Sequence, residues 1–325
     1  MKGEAKSNKL ETVHFNLPDV REAIEKNGQY TSGKIIVKKW EGEEGNENPS
    51  MYLVKDDEKP AYMGIVNTIF ERYGLCINEY QNQDKYFGFY KEDQRDSHGF
   101  YSYRPTKNKN NLLSEFYFGL WKKDVKDIRG TYLWLNEDVK AKPFSDFDKA
   151  NFQAFVGEIE KQKPKKGTLL SKEGDDYLVF HGGFNEGFKR EGEKCFYYSA
   201  ALEELCFGTY KNNNFIKGYV ANFDDDGNVK DILYFDNGNI TPKEKIEKSD
   251  LEKNQKILTT FRNVVLGKDY FGELYEIFGK ALNFAQKEMN TLDIFNSDKY
   301  LSIVSICASH NKINVFNDIE KLVEY

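Results

Sequence analysis

One phrase returns along this chain with altered wording. It reads Tyr62-Met63-Gly64-Ile65-Val66, then Tyr86-Phe87-Gly88-Phe89-Tyr90, then Tyr117-Phe118-Gly119-Leu120-Trp121. It comes back as Phe180-His181-Gly182-Gly183-Phe184 and as Cys206-Phe207-Gly208-Thr209-Tyr210. Ten or eleven residues after each central glycine stands another: Gly74, Gly99, Gly130, Gly192 and Gly218. Self-similarity on this scale marks an array of supersecondary units, each too small to bury its own apolar surface.

The physics of one unit follows from its alternation. In a strand, Tyr86, Gly88 and Tyr90 share one face, and Phe87 and Phe89 share the other. The polar run from Lys91 to His98 turns the chain, and Gly99-Phe100-Tyr101-Ser102-Tyr103 reads as the returning strand. The third copy repeats this with Lys122 to Arg129 as the turn and Gly130 to Leu135 as the return. In the fifth, Lys211-Asn212-Asn213-Asn214 supplies turn residues. Each unit is therefore predicted to be a β-hairpin. A central glycine has no Cβ, so a neighbouring ring can lie flat over the backbone. An isolated hairpin is only marginally stable in water, so the units need one another.

The spacing resembles the MORN family (membrane occupation and recognition nexus repeats), whose units run Tyr-x-Gly-x-Trp, a polar turn, then Gly-x-Gly and an aromatic. Tyr117, Gly119, Trp121 and Gly130 carry the best match, within a likeness that covers roughly residues 60 to 225. The family's extra turn glycines are largely missing, and the interval from Gly119 to Gly182 is about twice the others, as in a divergent array with an insert. A fainter copy starts at Gly28-Gln29-Tyr30-Thr31-Ser32-Gly33. The resemblance implies a scaffold. Such repeats occur in axonemal, cytoskeletal and junctional proteins and beside some methyltransferase and lipid-kinase domains. They have been linked to phospholipid binding and to protein–protein contacts. No catalytic residue belongs to the repeat.

Outside the repeats the grammar changes. Residues 1–27 form an extension with one short helix from Leu17-Pro18-Asp19, ended by Gly28. Residues 41 to 50 read as a loop. The array spans 28–239. Its insert is expected to hold a helix around 145–162, because Phe147, Phe152, Phe155, Val156 and Ile159 fall at helical spacing. After Asn239 the period becomes 3.6, and 240–325 is expected to form a small helical domain or a helical clasp on the array. Thr241-Pro242-Lys243-Glu244 and Ser249-Asp250-Leu251-Glu252 read as capping boxes. Apolar stripes follow at Leu251, Leu258, Phe261 and Val265, and at Phe271, Leu274, Phe278, Ala281, Ala285 and Met289. Two further helices are expected, one through Tyr300 to Cys307 and one through Val315 to Val323. The fold class is mainly β plus α: an elongated antiparallel array of MORN-like hairpins with a helical C-terminal part.

Chemistry-bearing motifs are few. His14, His98, His181 and His310 sit in different segments with no metal-ligand spacing. Asp224-Asp225-Asp226-Gly227 fails as a calcium loop, since its glycine and closing glutamate positions hold Val229 and Phe235. It reads instead as a hairpin turn, as does Asn237-Gly238. Gly182 to Gly187 lacks the pattern of a phosphate or dinucleotide loop and reads as a repeat glycine followed by a turn. Cys76, Cys195, Cys206 and Cys307 are far apart, as expected of free thiols in a reducing compartment. No catalytic residue, metal or cofactor is predicted. Lys161, Lys163, Lys165 and Lys166 form the one concentrated basic patch, a possible contact for anionic lipid or a tubulin surface, read more simply as a solvated linker. A net charge of −6 without a basic aromatic groove argues against nucleic acid. No run of 18 apolar residues or secretory apolar stretch is present, so the expected compartment is cytoplasm, with cilium or cytoskeleton as the setting.

Both strand faces of copies two and three are apolar, so something must cover the second face. The candidates are the inserted helix, the C-terminal helices and a partner protein. Phe87, Phe89, Tyr90, Phe118, Leu120, Trp121 and Trp134 are accordingly the interface candidates, beside the repeat glycines Gly64, Gly88, Gly119, Gly182 and Gly208. The expected role is a non-catalytic scaffold or adaptor of a large eukaryotic assembly, with the ciliary axoneme first. The alternatives are a peripheral membrane organiser and an accessory subunit of a mitochondrial complex.

Overall fold

The computed structural model describes residues 17–32, 35–40, 51–56, 62–105, 114–136, 151–224, 226–266 and 268–283. The expected loop at 41–50, the residues of the insert before 151, Cys307 and the last two predicted helices lie outside them. The chain begins with helix α1 (Leu17–Asn27), whose end is closed by a bond from Gly28 N to Ile24 O at 2.8 Å and by the positive φ of Gly28. Among the described residues, seventeen strands then form one antiparallel sheet. They comprise β1 (Gln29–Ser32), β2 (Ile35–Trp40), β3 (Met51–Asp56), β4 (Tyr62–Val66) and β5 (Arg72–Glu79). Next come β6 (Lys85–Lys91), β7 (Gln94–Ser102), β8 (Ser114–Lys122), β9 (Val125–Leu135), β10 (Phe152–Glu160) and β11 (Lys163–Glu173). The series closes with β12 (Asp176–Phe184), β13 (Arg190–Ser199), β14 (Glu204–Lys211), β15 (Asn214–Phe223), β16 (Val229–Asp236) and β17 (Asn239–Pro242).

Each strand pairs with the next in chain order, from β1–β2 to β16–β17, so the sheet is a single meander. All five copies of the phrase open a hairpin, as their alternation predicts. The faint copy at Gly28 opens one too.

The register aligns the glycines. Gly88 lies opposite Gly99, Gly99 opposite Gly119, and Gly119 opposite Gly130. The row continues through Gly157, Gly167 and Gly182. Beyond it, Gly208 faces Cys195 and Gly218. One row therefore crosses the sheet with almost no side chains on it. A Cβ on Gly119 would sit 2.7 Å from both Gly130 Cα and the Tyr117 hydroxyl. A Cβ on Gly130 would sit 2.5 Å from that same ring. Tyr86 covers Gly88 and Gly99 in the same way, and Phe155 covers Gly157 and Gly167. Close approach, not a turn, is what these positions demand.

The predicted insert helix is wrong where it can be seen. Phe152, Phe155, Val156 and Ile159 belong to strand β10. Their spacing fits a helix, but neighbouring strands decide the outcome: β10 is paired on both sides, by β9 and β11. Phe155-Val156-Gly157-Glu158-Ile159, with Gly167 ten residues on, is a copy of the phrase without a second aromatic. The array is continuous there, and the lysine patch is not a linker. Lys161 lies in the tip of the β10–β11 hairpin, and Lys163, Lys165 and Lys166 lie in β11.

The array also runs past Asn239. Thr241 and Pro242 pair in β17, and Lys243–Lys245 form a single 3-10 turn, so no helix caps at Thr241. Helix α2 (Lys248–Leu266) starts one residue before the expected capping box, and α3 (Lys268–Asn283) follows. Their expected stripes are buried: Leu258, Phe261 and Val265 on α2, and Leu274, Phe278 and Ala281 on α3. They join one cluster with sheet residues, so among the described residues the C-terminal part is a clasp on the sheet and not a separate domain. Phe261 stacks on Phe196 at 4.3 Å, and Phe278 meets Phe152 at 5.9 Å.

Two layers of core result. One face of the sheet buries Phe87, Phe100, Phe116, Phe118 and Phe196 in the cluster that includes α2 and α3. The other buries Tyr62, Tyr86, Tyr101, Tyr117 and Tyr132 in a cluster that includes Val20 and Ile24 of α1. Replacing Gly119 by alanine is expected to destabilise the protein by about 2–4 kcal/mol, because neither the ring nor the facing backbone can yield. Gly187→Ala, where the nearest atom is at 3.4 Å, serves as the control and is expected to be near neutral. Urea unfolding of the two variants measures the difference.

Candidate functional site

The face bearing the tyrosines concentrates the polar chemistry of the described residues. The register sets Asn78, Tyr86, Tyr101, Tyr117, Tyr132 and Phe155 in one row beside the glycines. Tyr86, Tyr101, Tyr117 and Tyr132 are each 0% exposed. Their hydroxyls are satisfied where they lie. Tyr86 donates to Phe89 O at 3.0 Å, Tyr117 to Leu120 O at 3.0 Å, and Tyr101 to Asp84 Oδ2 at 2.7 Å. Tyr132 donates to Gln162 O at 3.0 Å.

Cations are buried among these rings. Arg72 lies 4.4 Å from the Tyr90 ring centroid and Arg95 4.1 Å from that of Trp121. Lys126 sits between Tyr117 at 4.5 Å and Tyr132 at 4.6 Å, and donates to the hydroxyls of Tyr103 at 2.6 Å and Tyr132 at 2.9 Å. Arg190 takes the corresponding place over Tyr197 at 5.0 Å. A desolvated cation over a ring face gains up to about 2 kcal/mol, which offsets part of its burial cost.

Three of these residues also hold the next hairpin, Arg72 and Arg95 through side chain and backbone and Arg190 through its backbone. Arg72, at the start of β5, donates from N and Nε to Asp93 Oδ1 at 2.9 and 3.1 Å, and Asp93 N donates back to Arg72 O at 3.1 Å. Arg95, at the start of β7, makes the same bonds to Asp124 at 2.8 and 3.0 Å, with Asp124 N returning one at 2.9 Å. Arg190 N donates to Asn213 Oδ1 at 2.7 Å, and Asn213 N donates back to Arg190 O at 3.0 Å. Asp93, Asp124 and Asn213 are each the second residue of a two-residue hairpin turn, after Glu92, Lys123 and Asn212, and both residues of each turn have positive φ. Such turns match strand twist but strain residues other than glycine and asparagine. The latch from the preceding hairpin holds that conformation.

The sequence-predicted interface candidates are mostly sealed inside the chain. Phe87, Tyr90, Phe118, Trp121 and Trp134 are buried, and Phe89 is partly buried against the phenylalanine cluster. Leu120 is partly exposed. Around these strands both faces are covered within the protein, so these rings are core and not a docking surface. The cations Arg72, Arg95, Lys126 and Arg190 escaped sequence analysis. Their only signal is a basic residue two or four positions before the second glycine of a unit.

Other candidates resolve into structural roles. Asp224 accepts from Asn228 N at 2.8 Å and closes the β15–β16 turn, as the failed calcium pattern implied. Asn185 accepts from Gly187 N at 3.0 Å and Lys189 N at 3.2 Å, which makes Gly182 to Gly187 a strand glycine followed by a turn. Lys165 pairs with Glu160 at 2.9 Å, and Lys163 donates to Glu186 O at 2.9 Å. Burial raises the Cys76 and Cys195 thiols and pushes Cys206 up to about 12, so all three stay protonated and non-nucleophilic at neutral pH. No group of His, Cys, Asp and Glu among the described residues is placed to hold a metal ion. No described helix is long and apolar enough to cross a membrane.

His181 is 1% exposed on the phenylalanine face, with Nδ1 bonded to Thr168 Oγ1 at 2.8 Å and Nε2 without a hydrogen-bond partner. Burial, aided by Lys166, lowers its pKa to about 3. The folded protein thus keeps a neutral imidazole while the unfolded chain protonates near 6.5. The unfolded state binds more protons between these values, so this contribution to stability is intact above pH 6.5 and is lost as pH falls towards 3. Its expected size is about 2 kcal/mol lost at pH 5 relative to pH 7.5. Urea unfolding at both pH values checks this, and His181→Gln is expected to remove that part of the slope. Arg95→Ala is expected to cost about 3 kcal/mol, because it removes the guanidinium bonds to Asp124 Oδ1 and O and the cation over Trp121, leaving only the backbone part of the latch. Arg95→Lys restores little, because one ammonium cannot reproduce the fork. Thermal unfolding of the two variants measures both effects.

No protein-family model matches the chain. No curated protein matches it in sequence either.

Proposed function

We propose that this protein is a non-catalytic scaffold or adaptor subunit of a larger assembly. One observation carries the reading: the buried polar groups of the tyrosine face are spent on joining one hairpin to the next. Arg72, Arg95 and Arg190 latch neighbouring turns, Lys126 bridges Tyr103 and Tyr132, and three thiols are buried and protonated. A chain organised in this way supplies a stiff frame with its chemistry turned inward. The resemblance of its units to MORN repeats supports the same reading, and within what that resemblance implies a ciliary axoneme complex is the first assembly to search. Partner contact falls to surfaces other than the sealed aromatic core around Phe87, Phe118 and Trp121.

Affinity purification of the tagged full chain from its native cells, with mass spectrometry and microscopy of the same tag, tests the proposal. Stoichiometric recovery of a defined set of proteins is expected. A monodisperse monomer with no stable partner overturns it.

A further inference from the structure

The tyrosine row is closed along only half of the sheet. From Tyr86 to Phe155 its rings are fully buried. Past Phe155 the same row continues through Leu169, Phe180, Tyr197, Cys206, Val220 and Leu233. Here Leu169, Tyr197, Val220 and Leu233 are partly exposed. The cause lies in the residues. Tyrosine rings that cover one another give way to leucine, valine and cysteine, which are too short to shield the next strand. A partly exposed apolar strip runs across β11 to β16 as a result, with Phe180 and Cys206 buried within it.

The next row outward on this face changes character. It runs Ser171, Leu178, Ser199, Glu204, Asn222 and Asp231. Beyond it, Glu173 faces Asp176 at the end of the β11–β12 hairpin. Glu173, Asp176 and Asp231 are exposed and Glu204 is partly exposed. The cation identified on this part of the face, Arg190, lies at the opposite end of the strands, with its guanidinium over the Tyr197 ring at 5.0 Å. The strip is therefore apolar along one side and anionic along the other.

We propose that this half-open face docks a basic amphipathic segment of a partner protein. The segment's apolar side lies on Leu169, Leu178, Tyr197, Val220 and Leu233. Its lysines or arginines meet Glu173, Asp176, Glu204 and Asp231. Charge complementarity selects the occupant, because an acidic segment or an anionic surface is repelled by the same carboxylates. Six strands at about 4.8 Å spacing give a strip of about 24 Å. A helix of about 16 residues matches that length. The inference rests on the scaffold reading and names the chemistry of its partner.

The test uses the full chain and two fluorescein-labelled 16-residue amphipathic peptides, identical in their leucine face. One carries lysine on its polar face and the other glutamate. Fluorescence anisotropy is expected to show saturable binding of the lysine peptide that weakens as salt rises, and at least tenfold weaker binding of the glutamate peptide. The double variant Asp176→Lys with Asp231→Lys is expected to weaken the lysine peptide at least tenfold. Leu178→Ser with Val220→Ser is expected to weaken it as well, at unchanged salt dependence. Lys161→Glu with Lys163→Glu, on the hairpin tips at the other margin, leaves it unchanged. Circular dichroism melts confirm that the exposed charge variants fold.

Equal binding of both peptides overturns the proposal, as does no binding or a charge reversal without effect. Sedimentation of the chain alone adds a further arm. A dimer dissolved by the same charge reversal makes the occupant a second copy and also overturns it. The scaffold reading fails separately: if native purification still recovers partners with the charge-reversed variant, only this surface is refuted.

Discussion

The fold depends on the contact between an aromatic ring and a bare backbone. Tyr62, Tyr86, Tyr117, Phe155 and Phe180 each lie over a central glycine two residues along their own strand. Where Gly119 faces Gly130, and Gly157 faces Gly167, the two backbones also approach more closely than any side chain permits. An aromatic ring buries a large apolar area, and this arrangement lets it bury much of that area against the backbone of its own and the neighbouring strand. The rings of this face cluster with one another and with α1, and the opposite face receives the helices α2 and α3.

Packing of this kind creates an electrostatic opportunity and a problem. The rings exclude water, so any charge beneath them loses its hydration. Arg72 and Arg95 remain charged there because each finds a ring face, a carboxylate and a carbonyl at once. The same bonds run from one hairpin to the tip of the next. Stability is therefore passed along the array by nearest-neighbour contacts, as in other repeat architectures. The tips of β6–β7 and β8–β9 take up a conformation that Glu92-Asp93 and Lys123-Asp124 do not favour by themselves.

The array is not uniform along its length. Its first half spends tyrosine, tryptophan and arginine on closing the tyrosine face, whereas its second half substitutes shorter apolar side chains and places carboxylates at the margin. The tyrosine face is therefore closed in the first half of the array and half-open in the second. Short strand β17, which ends at Pro242, finishes the meander with little edge for further pairing.

The alternation of Tyr86 to Tyr90 and of Tyr117 to Trp121, with a glycine at the centre, determined the hairpins, their faces and their need for one another. Pro18 and Gly28 set the bounds of α1, and the stripe Leu258, Phe261 and Val265 set the buried side of α2. What the sequence left open was decided by partners distant along the chain. Phe152, Phe155, Val156 and Ile159 satisfy a helical and a strand period alike, and pairing on both sides by β9 and β11 made them a strand. The rings of Phe87, Phe118 and Trp121 carry the same pattern whether they face a partner or a core, and tertiary packing made them core. Arg72 and Asp93 are 21 residues apart. Nothing local relates them, because a bond across neighbouring hairpins exists only once the register has brought the two strands side by side.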